Sequence, residues 1–461
     1  MNAYDIIVAM LPEHLLLAGI VILIVIDLVK GSAGPFFAIS IAALLTATVA
    51  ALLLGVAGYV AAPFPGQLSV APADFLAKAT VLALSVPVLL LSREDFADCR
   101  FHVLVLSSLY GVCLMLSSDS FLTLFVGLEL MSLPVYVLVV LAYRGPQSAE
   151  AALKYLVLGG AGSATLLMGA ALLYGGTGSL AIATFAAALA SSDTMALTGA
   201  VLVIAAFFLK AAVVPFHAWA PDAYEGASVP VTAYMATIVK AAVLLAAVRL
   251  FASTPVTGAV ADLVAILPLV SIVWGNLTAM RQKSFRRMIA YSSIAHAGYL
   301  FYALLGDGPG RYQAVLFYVL AYGLMNLLAF AALPCRDDDA DADRLDSLKG
   351  LFSRAPFASL MIAIAMLSLA GIPPLPGFIA KFLIFKNVMA AGYTTYAVLG
   401  LVGSYLGIYF YLRVIQLMFM SSDERASGRS TPRRLMRSAS LICLLPAIAL
   451  ALFPGWVITQ L

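Results

Sequence analysis

The sequence contains few charged residues for its length. Of 461 residues, 26 are Lys or Arg and 23 are Asp or Glu, so charged residues make up 11% of the chain, against about 25% in an average soluble domain. Hydrophobic residues make up 63%, and the mean hydropathy is +1.04. This composition cannot supply the charged surface of a soluble protein, so it excludes a soluble enzyme, a nucleic-acid-binding protein and a disordered chain. It indicates a helical membrane protein with many spans.

Cysteine is also scarce, and its spacing excludes several kinds of site. The four cysteines are far apart in sequence, at Cys99, Cys113, Cys335 and Cys443, which argues against iron–sulfur ligation, a zinc site and a disulfide framework. No glycine-rich phosphate loop follows a predicted strand. The net charge of +3 is too small to imply a nucleic acid as partner. We therefore expect no metal and no cofactor to be bound by this chain.

Long apolar runs predict an all-α, polytopic fold with about fourteen transmembrane helices. The twelfth run is interrupted by prolines and Gly377, and we interpret it as one broken span. The stretch 180–191 is too short to cross a membrane. The predicted spans lie near 12–29, 36–58, 74–92, 101–117, 120–142, 150–175, 196–213, 228–251, 259–279, 289–306, 312–333, 356–388, 394–420 and 437–457.

The distribution of Lys and Arg between loops predicts the orientation. Cytoplasmic loops of membrane proteins carry an excess of these residues. If the N-terminus lies outside, almost all loop Lys and Arg fall inside, including Arg144 and the basic loop 425–437, and only Arg249, Arg311 and Lys386 fall outside. This asymmetry predicts an even number of spans with both termini on the outer side. We interpret the acidic run at 337–346 as a solvated inside linker.

Charged residues inside the predicted spans are the functional signal. A charge at the bilayer centre costs about 2.5–3.5 kcal/mol on insertion scales, and such residues commonly line ion or proton paths. Burial favours a neutral lysine and a nearby carboxylate favours a charged one, so movement of an acid makes a lysine take up or release a proton. Glu129 paired with Lys154 or Lys210 fits this scheme. Lys240, His296 and Lys381 extend the predicted relay.

Other charged residues in the spans have structural interpretations that the sequence leaves open. Lys78 lies about one turn from a span end and is able to extend to the interface, and Asp27 lies near the inner end of the first span. Arg413 is placed to pair between helices. Lys154 follows Glu150 by four residues, which also allows an ion pair along one helix.

Two proline breaks point to an internal repeat. Pro215 follows Lys210 in span seven, and GIPPLPGF precedes Lys381 in span twelve. The two breaks lie five spans apart, so spans 4–8 and 9–13 form two five-helix units, which must be inverted relative to each other. We therefore divide the chain into an N-terminal three-helix unit, the two repeats, and a basic loop with the last helix. These parts are 1–100, 101–251, 252–420 and 421–461.

Four segments are similar to a known family: GLELMSLPVYVL, FFLKAAVVPFHAWAPDAYEGASVPVTAYMATIVKAAVLL, RMIAYSSIAHAGYL and GIPPLPGFIAKFLIF. Over nearly the whole chain, the sequence resembles the antiporter-like subunits of respiratory complex I, the NADH–quinone oxidoreductase. The PDAYEGASVPV stretch and the Lys in GFIAKF favour the N type over its L and M paralogues. Ser228 intervenes where the family has Pro directly after Ala, a difference confined to a loop.

The resemblance implies roles for the charged residues. Glu129 matches the essential glutamate of span five, and Lys210 matches the lysine of the broken helix. Lys154 matches the lysine between them, Lys240 the central lysine of span eight, and Lys381 the terminal residue of span twelve. His296 matches a position in span ten. A proton would pass along this relay and leave on the outer side.

The resemblance also implies the setting. The chain would belong to the multi-pass membrane arm in the bacterial inner membrane, with both termini periplasmic, among membrane lipids and beside subunits M, K, J and L. NADH, flavin, iron–sulfur clusters and quinone would be bound by other subunits. Three alternatives stay open: a subunit of a Mrp-like cation/proton antiporter, a subunit of a membrane-bound hydrogenase or a photosynthetic relative, and a structural scaffold with no proton path.

Overall fold

The chain folds almost entirely into helices in a computed structural model. The structure describes residues 3–31, 34–141, 145–191, 193–251, 256, 258–306, 309–333, 344–421 and 435–460. Arg144, most of the acidic run at 337–346 and most of the basic loop at 425–437 lie outside the described residues.

The first half of the described chain begins with three apolar helices around a short β-hairpin and continues with two long helix pairs. The elements are α1 (Ala3–Ala9), α2 (Leu11–Lys30), α3 (Phe36–Val56), β1 (Ala61–Phe64), β2 (Leu68–Val70), α4 (Pro72–Ser92), α5 (Cys99–Leu116), α6 (Phe121–Leu141), α7 (Pro146–Thr177), α8 (Thr184–Leu189), α9 (Thr194–Ala211), α10 (Trp219–Gly226), α11 (Val229–Tyr234), a π-helical turn (Met235–Val239) and α12 (Lys240–Leu250).

The second half repeats the alternation of long helices and a proline break. Its elements are α13 (Gly258–Ala279), α14 (Phe285–Tyr302), a 3₁₀ turn (Ala303–Leu305), α15 (Pro309–Ala331), a second 3₁₀ turn (Leu345–Leu348), α16 (Leu351–Arg354), α17 (Pro356–Ala370), α18 (Pro376–Ala390), α19 (Thr394–Phe419), α20 (Met436–Leu452) and α21 (Pro454–Gln460).

The helices confirm the predicted fold class. Within the described residues, 12 helices are long and apolar enough to cross a membrane, and α17 and α20 are shorter apolar helices. Each of the fourteen predicted segments corresponds to one of these helices, with α17 and α18 forming the interrupted twelfth segment. The predicted non-spanning stretch at 180–191 contains only the six-residue helix α8.

Both predicted breaks are present. Helix α9 ends at Ala211, and Ala212 adopts a left-handed φ of 61° before the chain resumes as α10. Helix α17 ends at Ala370, and Gly371 has a φ of 85° before α18 begins at Pro376. Because each break frees carbonyl groups at a helix end, it is tolerated only where protein or a wet cavity surrounds it.

The centre of the bundle is formed by the segment α11–α12 with α14 and α15. All of the hydrophobic window of Val229–Leu250 is buried, whereas only 28% is buried in α2 and 39% in α7 and α19. A membrane helix that is buried on all sides faces other helices and not lipid. Lys240, one of the predicted relay residues, begins α12 and therefore lies in this enclosed core.

The structure differs from the sequence interpretation at three basic residues assigned to outside loops. Arg249 lies in the last turn of α12, Arg311 in the first turn of α15, and Lys386 within α18. Arg311 is 3% exposed and donates to the carbonyl oxygens of Gly306 and Phe251. The assignment of these residues to loops is wrong. The two arginines bond to backbone carbonyls at helix ends, and Lys386 lies on the exposed face of α18. The orientation of the chain stays a prediction.

A β-hairpin that the sequence interpretation lacked connects α3 to α4. Strands β1 and β2 pair antiparallel, and Gly66 in the turn has a φ of 74°. The amide of Ser69 donates to the carbonyl of Ser117, so the hairpin also binds the end of α5. This joins the N-terminal helices to the first predicted repeat.

Candidate proton-relay site

Glu129 and Lys210 form an ion pair inside the first predicted repeat. Lys210 lies in the last turn of α9, directly before the break, and Glu129 lies near the middle of α6. The Lys210 Nζ atom is 3.3 Å from the Glu129 Oε1 atom, with side chains 4% and 21% exposed. The structure therefore brings together these two residues, which the sequence placed 81 positions apart.

Two further side chains hold this pair. The hydroxyl of Ser163, on α7, donates to Glu129 Oε1, and Lys210 Nζ lies 3.4 Å from the Tyr136 hydroxyl. A Cβ at Gly159 would lie only 2.1 Å from that hydroxyl, so this glycine provides the space for Tyr136. Glu129 thus accepts hydrogen bonds from both Lys210 and Ser163, so loss of the Ser163 hydroxyl would change how strongly Glu129 holds the lysine.

Lys240 lies in the buried core without a carboxylate partner among the described residues. Its Nζ atom donates to the carbonyl oxygen of Ser293 at 2.6 Å and contacts the Ser293 hydroxyl at 2.5 Å. A π-helical turn directly precedes Lys240 in the chain, and such turns are frequent at functional sites. A lysine held only by neutral oxygens is able to lose its proton without leaving a partner anion behind.

Lys381 is bound by the end of the second broken helix. Its Nζ atom donates to the carbonyls of Leu369 at 3.0 Å and Ala370 at 3.2 Å and to the Ser404 hydroxyl at 3.0 Å. It also lies 4.9 Å from the centre of the Tyr299 ring. Carbonyls at a helix C-terminus carry partial negative charge and stabilise a cation. The break in α17–α18 therefore creates the binding position for Lys381.

His296 connects α14 with two neighbouring helices. Its Nδ1 atom is 2.7 Å from the Tyr318 hydroxyl on α15, and its Nε2 atom is 3.1 Å from the Tyr411 hydroxyl on α19. The Tyr411 hydroxyl is also 2.5 Å from the Ser292 hydroxyl. Histidine and hydroxyl groups both donate and accept hydrogen bonds, so this series of hydrogen-bonded side chains is suited to pass protons.

A small cavity lies beside His296. It measures about 10 Å³ and is lined by His296, Tyr318, Tyr322, Ser368 and other residues of α15, α17 and α18. A cavity needs about 10–15 Å³ and polar partners to hold one water. The site therefore has room for a water between His296 and the broken helix that holds Lys381.

The structure places Lys154 apart from the other predicted relay residues. Its side chain is 44% exposed and forms ion pairs of 2.7 Å with both Glu150 and Asp222. Arg287 contacts the same Asp222 at 2.7 Å and Glu225 at 2.9 Å. The i,i+4 pair with Glu150 is thus present, and Lys154 has no hydrogen bond to Glu129 or Lys210 among the described residues. Its relay role stays a prediction.

The electrostatics of Asp222 follow from this network. Burial alone raises the pKa of its carboxyl, but hydrogen bonds from Lys154 and Arg287 outweigh burial and lower the pKa below its ordinary value. Asp222 is therefore ionised at neutral pH. Sequence reasoning missed Asp222 and Arg287, although the charges in PDAYEG and SFRRM were visible.

Arg413, Asp27 and Lys78 are the other charged residues of the predicted spans that the sequence left open to a structural interpretation. Arg413 donates to the carbonyls of Met280 at 3.1 Å and Gln282 at 3.5 Å, in line with its structural interpretation. Asp27 is exposed. Lys78 does not extend to the interface: it is 0% exposed and bound at 2.6 Å to Glu13, a buried acid that sequence reasoning missed.

The described residues contain no group of three or more His, Cys, Asp or Glu side chains suited to hold a metal ion. Cys99, Cys113 and Cys443 are buried free thiols, and Cys335 lies outside the described part of the chain.

Comparison with known proteins identifies the family. The family model described as NADH:quinone oxidoreductase/Mrp antiporter, TM, matches residues 118–407. The curated relative NADH-quinone oxidoreductase subunit N of Pelobacter propionicus is 37% identical over 98% of this chain and 97% of its own length. A chain of respiratory complex I from Thermus thermophilus with bound aureothin is 34% identical, with a TM-score of 0.83 over 97% of this chain and 98% of that chain.

A more distant structure shares the fold. A chain of the Mrp complex from Dietzia sp. has a TM-score of 0.85 over 100% of this chain and 96% of that chain, at 22% identity. The resemblance inferred from the quoted motifs is confirmed by the family model and by relatives that match the chain end to end. The chain belongs to the family of NADH-quinone oxidoreductase subunit N, among the antiporter-like membrane subunits.

Proposed function

We propose that this chain translocates protons as a membrane-arm subunit of a NADH–quinone oxidoreductase. The observation that carries the proposal is the buried Glu129–Lys210 pair at the first helix break. A carboxylate 3.3 Å from a lysine that is 4% exposed favours the protonated lysine, and withdrawal of the carboxylate favours proton release. Electron transfer in other subunits would supply the energy for this change.

The proposed path runs from Lys210 through Lys240 and His296 to Lys381. Lys240 and His296 are linked through α14, since Lys240 contacts Ser293 and His296 lies one turn further along the same helix. The Tyr299 ring contacts both His296 and Lys381, with its centre 5.5 Å from the histidine ring and 4.9 Å from the lysine Nζ atom. Waters would bridge the steps that lack a direct hydrogen bond, such as Lys210 to Lys240.

Lys154 has a different proposed role from the buried lysines. Its exposed ion pairs with Glu150 and Asp222 lie at the start of α7, and the same helix carries Ser163, which donates to Glu129. We assign Lys154 to the mouth of the inner half-channel, from which protons reach the Glu129–Lys210 pair.

The proposed setting follows the family. Subunits M, K, J and L would be neighbours in the membrane arm, and flavin, iron–sulfur clusters, NADH and quinone would be bound elsewhere in the complex. The chain would lie in the bacterial inner membrane with both termini periplasmic. A Mrp-like antiporter is the second candidate, favoured by the description of the family model and by the shared fold of the Dietzia complex.

Purification through a tag on this chain separates these candidates. We expect flavin- and iron–sulfur-containing subunits to co-purify with NADH–quinone reductase activity. Co-purification with Mrp-type membrane subunits alone would contradict the proposal. In the purified complex, Glu129→Gln should abolish proton transfer by this subunit while the complex stays assembled. An assembled variant with unchanged pumping would exclude the Glu129 relay.

A further inference from the structure

A second buried ion pair lies outside the relay, in the N-terminal helices. Glu13 in the first turn of α2 is 1% exposed, and Lys78 on α4 is 0% exposed. Lys78 Nζ binds Glu13 Oε1 at 2.6 Å, whereas Glu13 Oε2 is buried and has no hydrogen-bond partner among the described residues. A buried carboxylate oxygen without a donor is costly as an anion and is suited to carry a proton.

The pair continues into a charged group near the surface. Asp74 lies one turn before Lys78 on α4 and interacts with it electrostatically. Arg249, at the end of α12, binds Asp74 at 2.6 Å and Asp119 at 3.0 Å. Asp119 is 36% exposed. The five side chains thus run from the buried Glu13 to a solvent-accessible carboxylate.

These five residues have an unbalanced charge. Three of them are carboxylates and two are cations, so the group carries one net negative charge when all are ionised. Glu13 and Lys78 are out of water, and Asp74, Arg249 and Asp119 are only 17–36% exposed. A net charge on this group is therefore less well solvated than in water, and uptake of one proton makes the group neutral. The uncharged titratable groups that face it are phenols and a thiol with ordinary pKa values above neutral. They are Tyr110 and Cys113 on α5 and Tyr312 on α15.

The group lies at one end of the bundle. Helices α2 and α4 begin there, and α5 and α12 end there. Lys240 is nine residues from Arg249 along α12, which is about 13 Å at the rise of an α-helix. Glu129 lies eight residues after the first residue of α6. The group is therefore distinct from the relay, although Arg249 and Lys240 share a helix.

We propose that Glu13, Lys78, Asp74, Arg249 and Asp119 form a separate proton-binding site, which takes up one proton from the side of the membrane where α2 begins. A hydronium ion in the water at Asp119 gives up the proton: its O–H bond breaks, an O–H bond forms at Glu13 Oε2, and a water molecule remains. The charge of the five-residue group then changes from minus one to zero.

The test uses pH-dependent infrared difference spectra of the assembled complex in vesicles. Glu13→Gln alone would leave Lys78 buried without a partner, so the chosen variant is the double substitution Glu13→Gln with Lys78→Met. We expect the wild type to gain the carbonyl band of one protonated carboxyl as the pH falls on the α2 side, and the double variant to lose that band. Asp119→Asn removes one negative charge from the group and so makes proton uptake less favourable. It should therefore move the pH midpoint of this band to lower pH.

A matched control is Asp193→Asn. Asp193 caps α9 through bonds from Met195 and Ala196, and asparagine caps equally well, so this variant should keep the wild-type midpoint. An unchanged carboxyl band in the assembled double variant would show that Glu13 and Lys78 are a structural ion pair only. The proposal would also be overturned if the pH midpoint of the carboxyl band were unchanged by Asp119→Asn. It would be overturned as well if that midpoint followed the pH on the opposite side of the membrane, or if it depended on Na⁺ at fixed ionic strength.

Discussion

Lys210 and Lys381 each lie beside one of the two helix breaks, Lys210 before its break and Lys381 after it, and have different partners. Lys210 Nζ lies 3.3 Å from the carboxylate of Glu129, whereas Lys381 Nζ is bound by the carbonyls of Leu369 and Ala370 and by a hydroxyl. The first lysine therefore has a side-chain carboxylate as its partner, and the second is held by backbone and hydroxyl dipoles. This difference suits loading at Lys210 and release at Lys381.

The Ser163 hydroxyl should tune the acid that controls Lys210. Ser163→Ala removes a donor to Glu129, and a hydrogen bond to a charged group contributes about 1.5–3 kcal/mol. The free carboxylate should then hold Lys210 more tightly and slow proton release, so we expect a partial loss of pumping at unchanged assembly. Proton transport in vesicles measures this. Thr165→Ala on the exposed face of the same helix should have no effect, since within the described part of the chain the Thr165 hydroxyl donates to the carbonyl of Ala161 alone.

Gly371 should be required for the position of Lys381. Its φ is 85°, and an added Cβ would lie 3.2 Å from Lys381 Cδ and 3.3 Å from its Nζ atom. Gly371→Ala should displace the lysine and reduce pumping. Gly392→Ala is the matched control, since its φ is 91° and a Cβ there meets no atom within 4 Å. Both variants bear a similar backbone strain of about 1–2 kcal/mol, so equal pumping by the two would argue against a positional role.

The Tyr411 hydroxyl should be a link in the path through His296. It lies 3.1 Å from His296 Nε2 and 2.5 Å from the Ser292 hydroxyl. Tyr411→Phe keeps the ring and removes the proton-carrying group, so pumping should fall. Stability should fall by about 1–3 kcal/mol, because the buried His296 Nε2 atom loses this partner. Tyr405→Phe, on the same helix but 65% exposed, should pump normally. A normal Tyr411→Phe variant would show that protons bypass this hydroxyl.

Lys154 should matter less than Lys210. An exposed ion pair contributes only about 0–1 kcal/mol, so Lys154→Ala should leave assembly intact and slow proton uptake without stopping it. Loss of Lys154 removes one of the hydrogen bonds that lower the pKa of Asp222, so that pKa should rise toward its ordinary value. The lowered pKa stabilises the fold above the ordinary aspartate range, and this stabilisation is lost as the pH falls through the native pKa. Proton-pumping rates of Lys154→Ala and Lys210→Met, measured at one pH, compare the importance of the two lysines. A complete block of pumping by Lys154→Ala would place Lys154 in the relay itself.

Much of the fold could be predicted because membrane spans are long apolar runs and prolines mark their breaks. Glu129, Lys210, Lys240 and Lys381 stood out for the same reason, as charges within such runs. The pairing of charged side chains was harder to predict. Glu13 and Lys78 are 65 positions apart, and the sequence carries no local signal that the two side chains meet. Glu13 was overlooked because it lies in the first turn of its helix, where a charge is ordinary.

The parts that could not be predicted depend on contacts between distant segments. The β-hairpin is held partly by the end of α5, through the bond from Ser69 to Ser117, and its own residues are too few to signal a sheet. From the sequence alone, Arg311 is predicted to be a charged loop residue. The carbonyls of Gly306 and Phe251, to which it donates, come close to it only in the folded chain.

The most direct test of the relay is the ratio of protons pumped to NADH oxidised in the assembled complex, for Lys210→Met and Lys381→Met. Lys386→Met is the control, since Lys386 lies on the same helix as Lys381 and is exposed. We predict a lower ratio or loss of coupled turnover for both relay variants and the wild-type ratio for the control. Wild-type ratios and turnover in assembled Lys210→Met and Lys381→Met complexes would contradict the relay.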